Sequence, residues 1–257
     1  MTQKQRFEAA KAATVALALL DEGNPARPFK IVGSGFCVDA AGIVFTCQHV
    51  LSAFMSTPIT DQLGAIHESE KGKPVQTIET RLLRPHVVFF STSLKPGQLV
   101  ALPCPVDYLM AKTDYDLGAV RIPSHPAFST GYPTLAIEEY EAVHEGLEIA
   151  TCGFPLGNFL QDQLGTVTSS FTKGILSSVV PYQGVPEKHV NAFQLDLVAT
   201  HGNSGGPVFS LETGRVFGVL QGGIVDRDRK ILQGLARAEP VYGLLQHDLI
   251  ARMKGTG

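Results

Sequence analysis

From residue 30 onward the chain alternates short apolar runs with glycine turns. Gly33-Ser34-Gly35 leads into Phe36-Cys37-Val38-Asp39, the turn Ala40-Ala41-Gly42 follows, and Ile43-Val44-Phe45-Thr46 completes the unit. Two apolar runs about a glycine turn predict a β-hairpin. His49 stands three residues beyond it, so the histidine is placed just after a buried strand. Upstream, the apolar run at 12–20 predicts a first strand entered from a short amphipathic N-terminal segment. Residues 56–96 are mostly polar and predict loops, except for an apolar run at 87–90. Runs at 99–102 and 117–122 complete a first half of strands.

Residues 123–133, with three prolines and a glycine, have the composition of a linker. Beyond them, strands are expected at 147–154, 166–171, 174–179, 192–195, 208–209 and 215–220, the last two as a hairpin over Glu212-Thr213-Gly214. Leu245, Leu249, Ile250 and Met253 have near-helical spacing and predict a closing helix. This inventory fits an all-β fold of two barrels. An N-terminal barrel is expected over about 12–122, a C-terminal one over about 134–243 and the helix over about 244–254.

Composition narrows the class. Charged residues are 18% and hydrophobic ones 44%, which argues for a packed core and against disorder. A net charge of -3 without any long basic run gives no footprint for nucleic acid. No segment has the roughly 18 apolar residues of a membrane span, so no membrane association is expected. The run at 12–20 is flanked by Glu8 and by Asp21-Glu22 without a small-residue cleavage site. That makes it a poor secretion signal, and a cytoplasmic location is expected. Cys37, Cys47, Cys104 and Cys152 lack metal-ligand spacing and predict buried free thiols. No metal or cofactor is expected.

The candidate chemistry centres on Gly202-Asn203-Ser204-Gly205-Gly206-Pro207. A serine hydroxyl is a weak nucleophile and needs a base and an orienting acid. The glycines let main chain approach a reacting carbonyl, and the amides of a Gly202-Asn203-Ser204 loop are placed to hold an oxyanion. Pro207 fixes the start of the next strand. His49, at a strand end, is the candidate base. Asp116, immediately before the small apolar strand Leu117-Gly118-Ala119-Val120, is the candidate acid, with Asp114 as its rival. Cys47, two residues before His49, lacks surrounding glycines and is read as structural.

At these residues the chain resembles the trypsin-like, chymotrypsin-fold serine proteases, closest in pattern to bacterial HtrA/Deg-type protease domains. Gly33-Ser34-Gly35-Phe36 through His49 is similar to the family's first hairpin, and Asp116-Leu117-Gly118-Ala119-Val120 to its aspartate element. Gly153-Phe154-Pro155-Leu156-Gly157 and the run from Asp196 through Pro207 are similar to parts of its second barrel. The histidine follows Thr-Cys-Gln where the family more often has Thr-Ala-Ala or Thr-Asn-Ala. No PDZ domain follows within these 257 residues, so HtrA-style chaperone cages are not expected.

The resemblance implies two six-stranded antiparallel barrels and a serine endopeptidase with His49, Asp116 and Ser204 as triad. It implies an oxyanion hole from Gly202 and Ser204. Val198, Ala199 and Thr200 would line the primary pocket, with His201 at its rim, and a polypeptide substrate would pair with the edge Val219-Leu220-Gln221-Gly222. The pocket base has no aspartate, so cleavage after small or aliphatic residues is expected. Two alternatives stand beside this: a protease latent until a protein partner activates it, and a non-catalytic interaction module of the same fold.

Overall fold

The computed structural model describes residues 1–21, 29–56, 60–69, 73–91, 99–112, 115–164, 167–181, 190–226, 228, 231–245 and 253. The chain opens with helix α1 (Gln3–Ala13), whose Thr2 cap and Gln5 side chain satisfy each other's backbone amides. Phe7 on this helix meets Phe171 and Phe209 edge-on, and Arg6 Nη1 donates to the Leu211 carbonyl, so the N-terminus is tied to the second half of the molecule.

Eight strands then form the first sheet: β1 (Thr14–Asp21), β2 (Phe29–Asp39), β3 (Ile43–Thr46), β4 (Thr60–Ser69), β5 (Lys73–Ser91), β6 (Val100–Pro105), β7 (Tyr108–Lys112) and β8 (Leu117–Arg121). Their order is β4-β5-β1-β2-β3-β8-β7, with β6 paired to β5. Helix α2 (Gln48–Ser56) follows β3 directly. Six further strands close into a barrel in the order β10-β11-β14-β13-β12-β9. They are β9 (Glu148–Gly153), β10 (Ser170–Pro181), β11 (Val190–Asp196), β12 (Pro207–Ser210), β13 (Val216–Val225) and β14 (Ile231–Pro240). Helix α3 (Gly157–Leu164) lies between β9 and β10, and the short α4 (Tyr242–Leu245) follows β14.

Two expectations change. The segment read as loops over 56–96 contains the long β4–β5 hairpin, in register from Thr60↔Leu82 to Ser69↔Lys73. A backbone ladder needs no apolar run, and a search for such runs passes over strands with polar side chains. The first half is an eight-stranded sheet, where a six-stranded barrel was expected. Of the expected closing helix, α4 and a buried, helical Met253 are seen; 246–252 lie outside the described residues.

One large apolar cluster joins the halves, with Leu17, Phe36, Phe45 and Val120 from the sheet and Ala150, Phe209, Val216 and Val219 from the barrel. A second cluster, including Phe193, Leu195, Phe217 and Leu220, fills the barrel. This shared core fixes where β3 and β8 end relative to the loop before β12. All four cysteines are free and buried, as their spacing suggested.

Candidate active site

Strands β3 and β8 pair antiparallel with Thr46 opposite Gly118, so their adjacent ends carry His49 and Asp116. His49 sits in the first turn of α2, and its backbone amide donates to Asp116 Oδ1 at 2.9 Å. Its ring Nδ1 lies 2.6 Å from Asp116 Oδ2, so one carboxylate fixes both backbone and side chain of the histidine. Burial alone would raise the Asp116 carboxyl, but hydrogen bonds and charge from His49, with a further bond from Gln221, hold it below the ordinary carboxylate range. The carboxylate is therefore ionised at neutral pH and can only accept, which places the imidazole proton on Nδ1. Nε2 is left as the basic nitrogen. Asp114 lies outside the described residues.

Ser204 lies in the loop between β11 and β12, and that loop's main chain is pinned peptide by peptide. The His201 carbonyl accepts from Leu156 N at 2.7 Å. The Gly202 carbonyl accepts from the Ser34 hydroxyl at 2.6 Å, and the Asn203 amide donates to the Thr200 carbonyl at 3.1 Å. The Ser204 carbonyl accepts from Ser34 N at 2.8 Å. A trans peptide points its N–H opposite its C=O, so anchoring the His201 carbonyl on Leu156 turns the Gly202 amide the other way. Asn203 leaves the expected set of oxyanion donors, because its amide is committed to Thr200.

The loop's conformation needs glycine at two positions. Gly202 has φ +97°, and a Cβ there would lie 2.2 Å from the Phe154 carbonyl oxygen. Gly205 has φ +89°, and its Cβ would lie 2.0 Å from the Ser34 carbonyl oxygen. Ser34 is fully buried, and besides its bonds to the loop its hydroxyl accepts from Phe154 N at 3.0 Å while its carbonyl accepts from Thr46 Oγ1 at 2.7 Å. It thus links the strand leading to His49 with the loop carrying Ser204.

Gln221, expected on the substrate edge, also makes two contacts inside the site. Its side-chain amide donates to Asp116 Oδ2 at 3.1 Å, and its carbonyl accepts the Ser204 hydroxyl at 2.6 Å. Val219 and Leu220 are corrected as edge residues. Both are fully buried, and Leu220 exchanges backbone bonds with Gly205 and Gly206. Among the described residues the open edge starts at Gly222, where a Cβ would stand 3.6 Å from Ser204 Oγ. Val198 is exposed, Ala199 is buried, and the Thr200 hydroxyl is buried with no partner among the described residues. His201 is exposed.

A cavity of about 430 Å³ opens beside this site, lined by Gln48, His49, Asp116, Gln221, Arg237 and Glu239 among others. Glu239 is buried, and Arg237 Nη2 bonds its Oε1 at 3.1 Å. Burial pushes the Glu239 carboxyl up; Arg237 opposes this, while the charge of Asp116 adds to it. Sequence reading missed Ser34, Arg237 and Glu239. The signals were present: a serine inside a Gly-Ser-Gly turn, and a lone carboxylate in the apolar run Ala238-Glu239-Pro240-Val241.

Comparison with known proteins bears on family and fold. The profile of the trypsin-like peptidase domain matches residues 33–219. The putative protease Do-like 14 of Arabidopsis thaliana is 27% identical over 193 residues, covering 74% of this chain and 35% of that protein. The human peroxisomal leader peptide-processing protease is 34% identical over 117 residues, covering 46% of this chain and 16% of that protein. The chain thus spans about a third or less of these relatives' lengths. Among solved structures, Deg5 superposes with a TM-score of 0.63 at 17% identity, over 99% of this chain and 96% of that one. The HtrA-type protease AlgW with decapeptide gives 0.61 at 15% identity, over 100% and 69%.

Proposed function

Since the chain belongs to the trypsin-like peptidase family, we propose that it is a serine endopeptidase with Ser204 as nucleophile, His49 as general base and Asp116 as orienting acid. The observation that carries this reading is the double hydrogen bond between Asp116 and His49, at 2.9 and 2.6 Å. It leaves Nε2 as the acceptor for a serine proton. The Ser204 hydroxyl, resting on the Gln221 carbonyl, turns about χ1 towards Nε2 as substrate enters; catalytic hydrogen bonds often tighten only in the substrate complex.

The reaction is acyl transfer in two steps. Ser204 Oγ attacks the peptide carbonyl carbon as His49 Nε2 takes its proton. The amides of Gly202 and Ser204 hold the oxyanion, and the pinned loop keeps them oriented beforehand. His49 then gives the proton to the leaving amine. Water, deprotonated by the same imidazole, releases the acyl group and restores Ser204. Asp116 stabilises the imidazolium in both steps. The acyl side of the substrate pairs with the β13 edge from Gly222 onward, and Val198, Ala199 and Thr200 favour a small or aliphatic residue before the scissile bond. Activation by a protein partner is compatible with this reading, since the exposed Leu156 anchors the His201 carbonyl of the oxyanion turn.

The test is a peptide-library cleavage profile of the wild type beside Ser204→Ala. The reading requires cuts after small or aliphatic residues that vanish in the variant. Cuts that persist in Ser204→Ala would refute it.

A further inference from the structure

Cys47 has no part in the acyl-transfer mechanism, yet it lies beneath the reacting pair. Its thiol is fully buried and donates to the Leu220 carbonyl at 3.2 Å. One donor atom from each of Cys47, His49 and Asp116 lies within 4.8 Å of the other two. The imidazole nitrogen facing Asp116 is Nδ1.

We propose that Cys47 Sγ, His49 Nδ1 and an Asp116 carboxylate oxygen form a binding site for a thiophilic divalent cation of the zinc type, and that its occupation switches the peptidase off. The dimensions suit it. With bonds of about 2.0–2.3 Å, a tetrahedral zinc holds its ligand atoms roughly 3.3–3.8 Å apart. The shortest donor separation here is 2.6 Å, between Nδ1 and Oδ2, and all lie within 4.8 Å. Shifts of under about 1.5 Å reconcile the two. The donors are a mixed sulfur, nitrogen and oxygen set that zinc accepts.

Two further features point to a cation. The cavity of about 430 Å³ opens on His49 and Asp116, providing an entry path and room for a water as fourth ligand. The buried Glu239 carboxylate faces the same cavity and adds negative charge, partly offset by Arg237. Burial, and then the charges of Asp116 and Glu239, push the Cys47 thiol up, so without a cation it is a neutral thiol.

Binding has a defined chemical consequence. Cys47 loses its thiol proton to solvent and binds as thiolate, so the thiolate and carboxylate together neutralise the dication. Neutral His49 keeps its single proton, which moves from Nδ1 to Nε2 as Nδ1 takes the metal. The nitrogen that would accept the Ser204 proton is then occupied by hydrogen, and the base is gone. Only this consequence rests on the proposed peptidase function; the metal site itself does not.

The experiment therefore has two readouts. Cobalt(II), as a spectroscopic probe, is titrated into the chelator-treated wild type, Cys47→Ala and Cys47→Ser, the serine variant keeping the packing should alanine disturb it. Zinc affinity is measured for each by competition with a chromogenic chelator. The site predicts a thiolate-to-cobalt charge-transfer band saturating at one equivalent in the wild type and absent from both variants. It also predicts zinc affinity at least about tenfold weaker in the variants. Zinc should slow peptide cleavage by the wild type, relative to its own metal-free rate, with recovery on adding chelator. No thiolate band, or equal zinc affinity across the three proteins, overturns the site. Saturation with zinc that leaves the cleavage rate unchanged overturns the switch. Should the protein cleave no peptide at all, the cobalt band still decides the metal site, while the peptidase reading fails separately.

Discussion

The side-chain amide of Gln221 reaches Asp116 Oδ2 at 3.1 Å, the same oxygen that faces His49 Nδ1 at 2.6 Å. The carbonyl of Gln221 meanwhile accepts the Ser204 hydroxyl at 2.6 Å. One residue of β13 therefore contacts both Asp116 and Ser204, and its two contacts are separable because one belongs to the side chain and the other to the backbone.

Gln221→Ala removes the amide and keeps the carbonyl. Asp116 loses one of the groups holding its carboxyl low, but retains both bonds to His49. A fall in kcat of about tenfold is expected, far smaller than the roughly 10³–10⁴ expected for Asp116→Asn, which permits the wrong imidazole tautomer. Steady-state kinetics of the two variants side by side check the order; equal losses would contradict it.

Ser34→Ala deletes the hydroxyl that joins Gly202 to Phe154. The Phe154 amide and the Gly202 carbonyl then lack their partner, at a cost of about 1–3 kcal/mol in unfolding free energy. The oxyanion turn loses one of its anchors, so kcat should fall by roughly an order of magnitude or more while KM stays near the wild-type value. Urea unfolding and kinetics on the same preparation separate the two effects. A variant that loses stability and keeps full kcat would show that the hydroxyl serves packing alone.

Gly202→Ala places a methyl group 2.2 Å from the Phe154 carbonyl at a φ of +97°. The turn must reopen. The Gly202 amide then moves out of position, and kcat should drop by about 10²–10³, with far-UV circular dichroism unchanged. The corresponding change at Gly205 brings a methyl within 2.0 Å of the Ser34 carbonyl and should be at least as damaging.

Glu239 and Asp116 respond to acid in opposite senses. The Asp116 carboxyl is held low in the fold, so its contribution to stability is complete above the ordinary carboxylate value and fades as pH falls through its lowered one. The Glu239 carboxyl is held high, so its ionisation opposes folding and stability is regained as pH falls through its raised value. Glu239→Gln should raise Tm at neutral pH, and this advantage should shrink on acidification towards the carboxylate range. A pH-independent Tm difference between the two proteins would contradict the assignment.

The glycine-rich turn around Ser204 was legible because the loop needs glycine at fixed offsets from that serine. His49 and Asp116 were legible through the apolar strands β3 and β8 beside them, although nothing in the sequence signalled that His49 would open a helix. The β4–β5 hairpin was not legible, since β4 and the part of β5 paired with it lack the apolar runs by which the others were found; the run at 87–90 marked only the far end of β5. Ser34, Arg237 and Glu239 were missed for another reason. The Gly-Ser-Gly turn and the lone carboxylate were visible, but the partners of Ser34 lie 120 and 168 residues away and the cavity that Arg237 and Glu239 line draws on distant segments, which no local pattern encodes. The proposed substrate edge begins later than the sequence suggested, because only the backbone bonds of Leu220 reveal that its edge is already taken.

The most direct test is covalent labelling with a fluorophosphonate probe, followed by mass mapping of the adduct in the wild type, His49→Ala and Ser204→Ala. A single adduct on Ser204 is predicted in the wild type, lost in Ser204→Ala and strongly slowed in His49→Ala. An unlabelled wild type, or an adduct on another residue, would contradict the assignment of Ser204 as a nucleophile activated by His49.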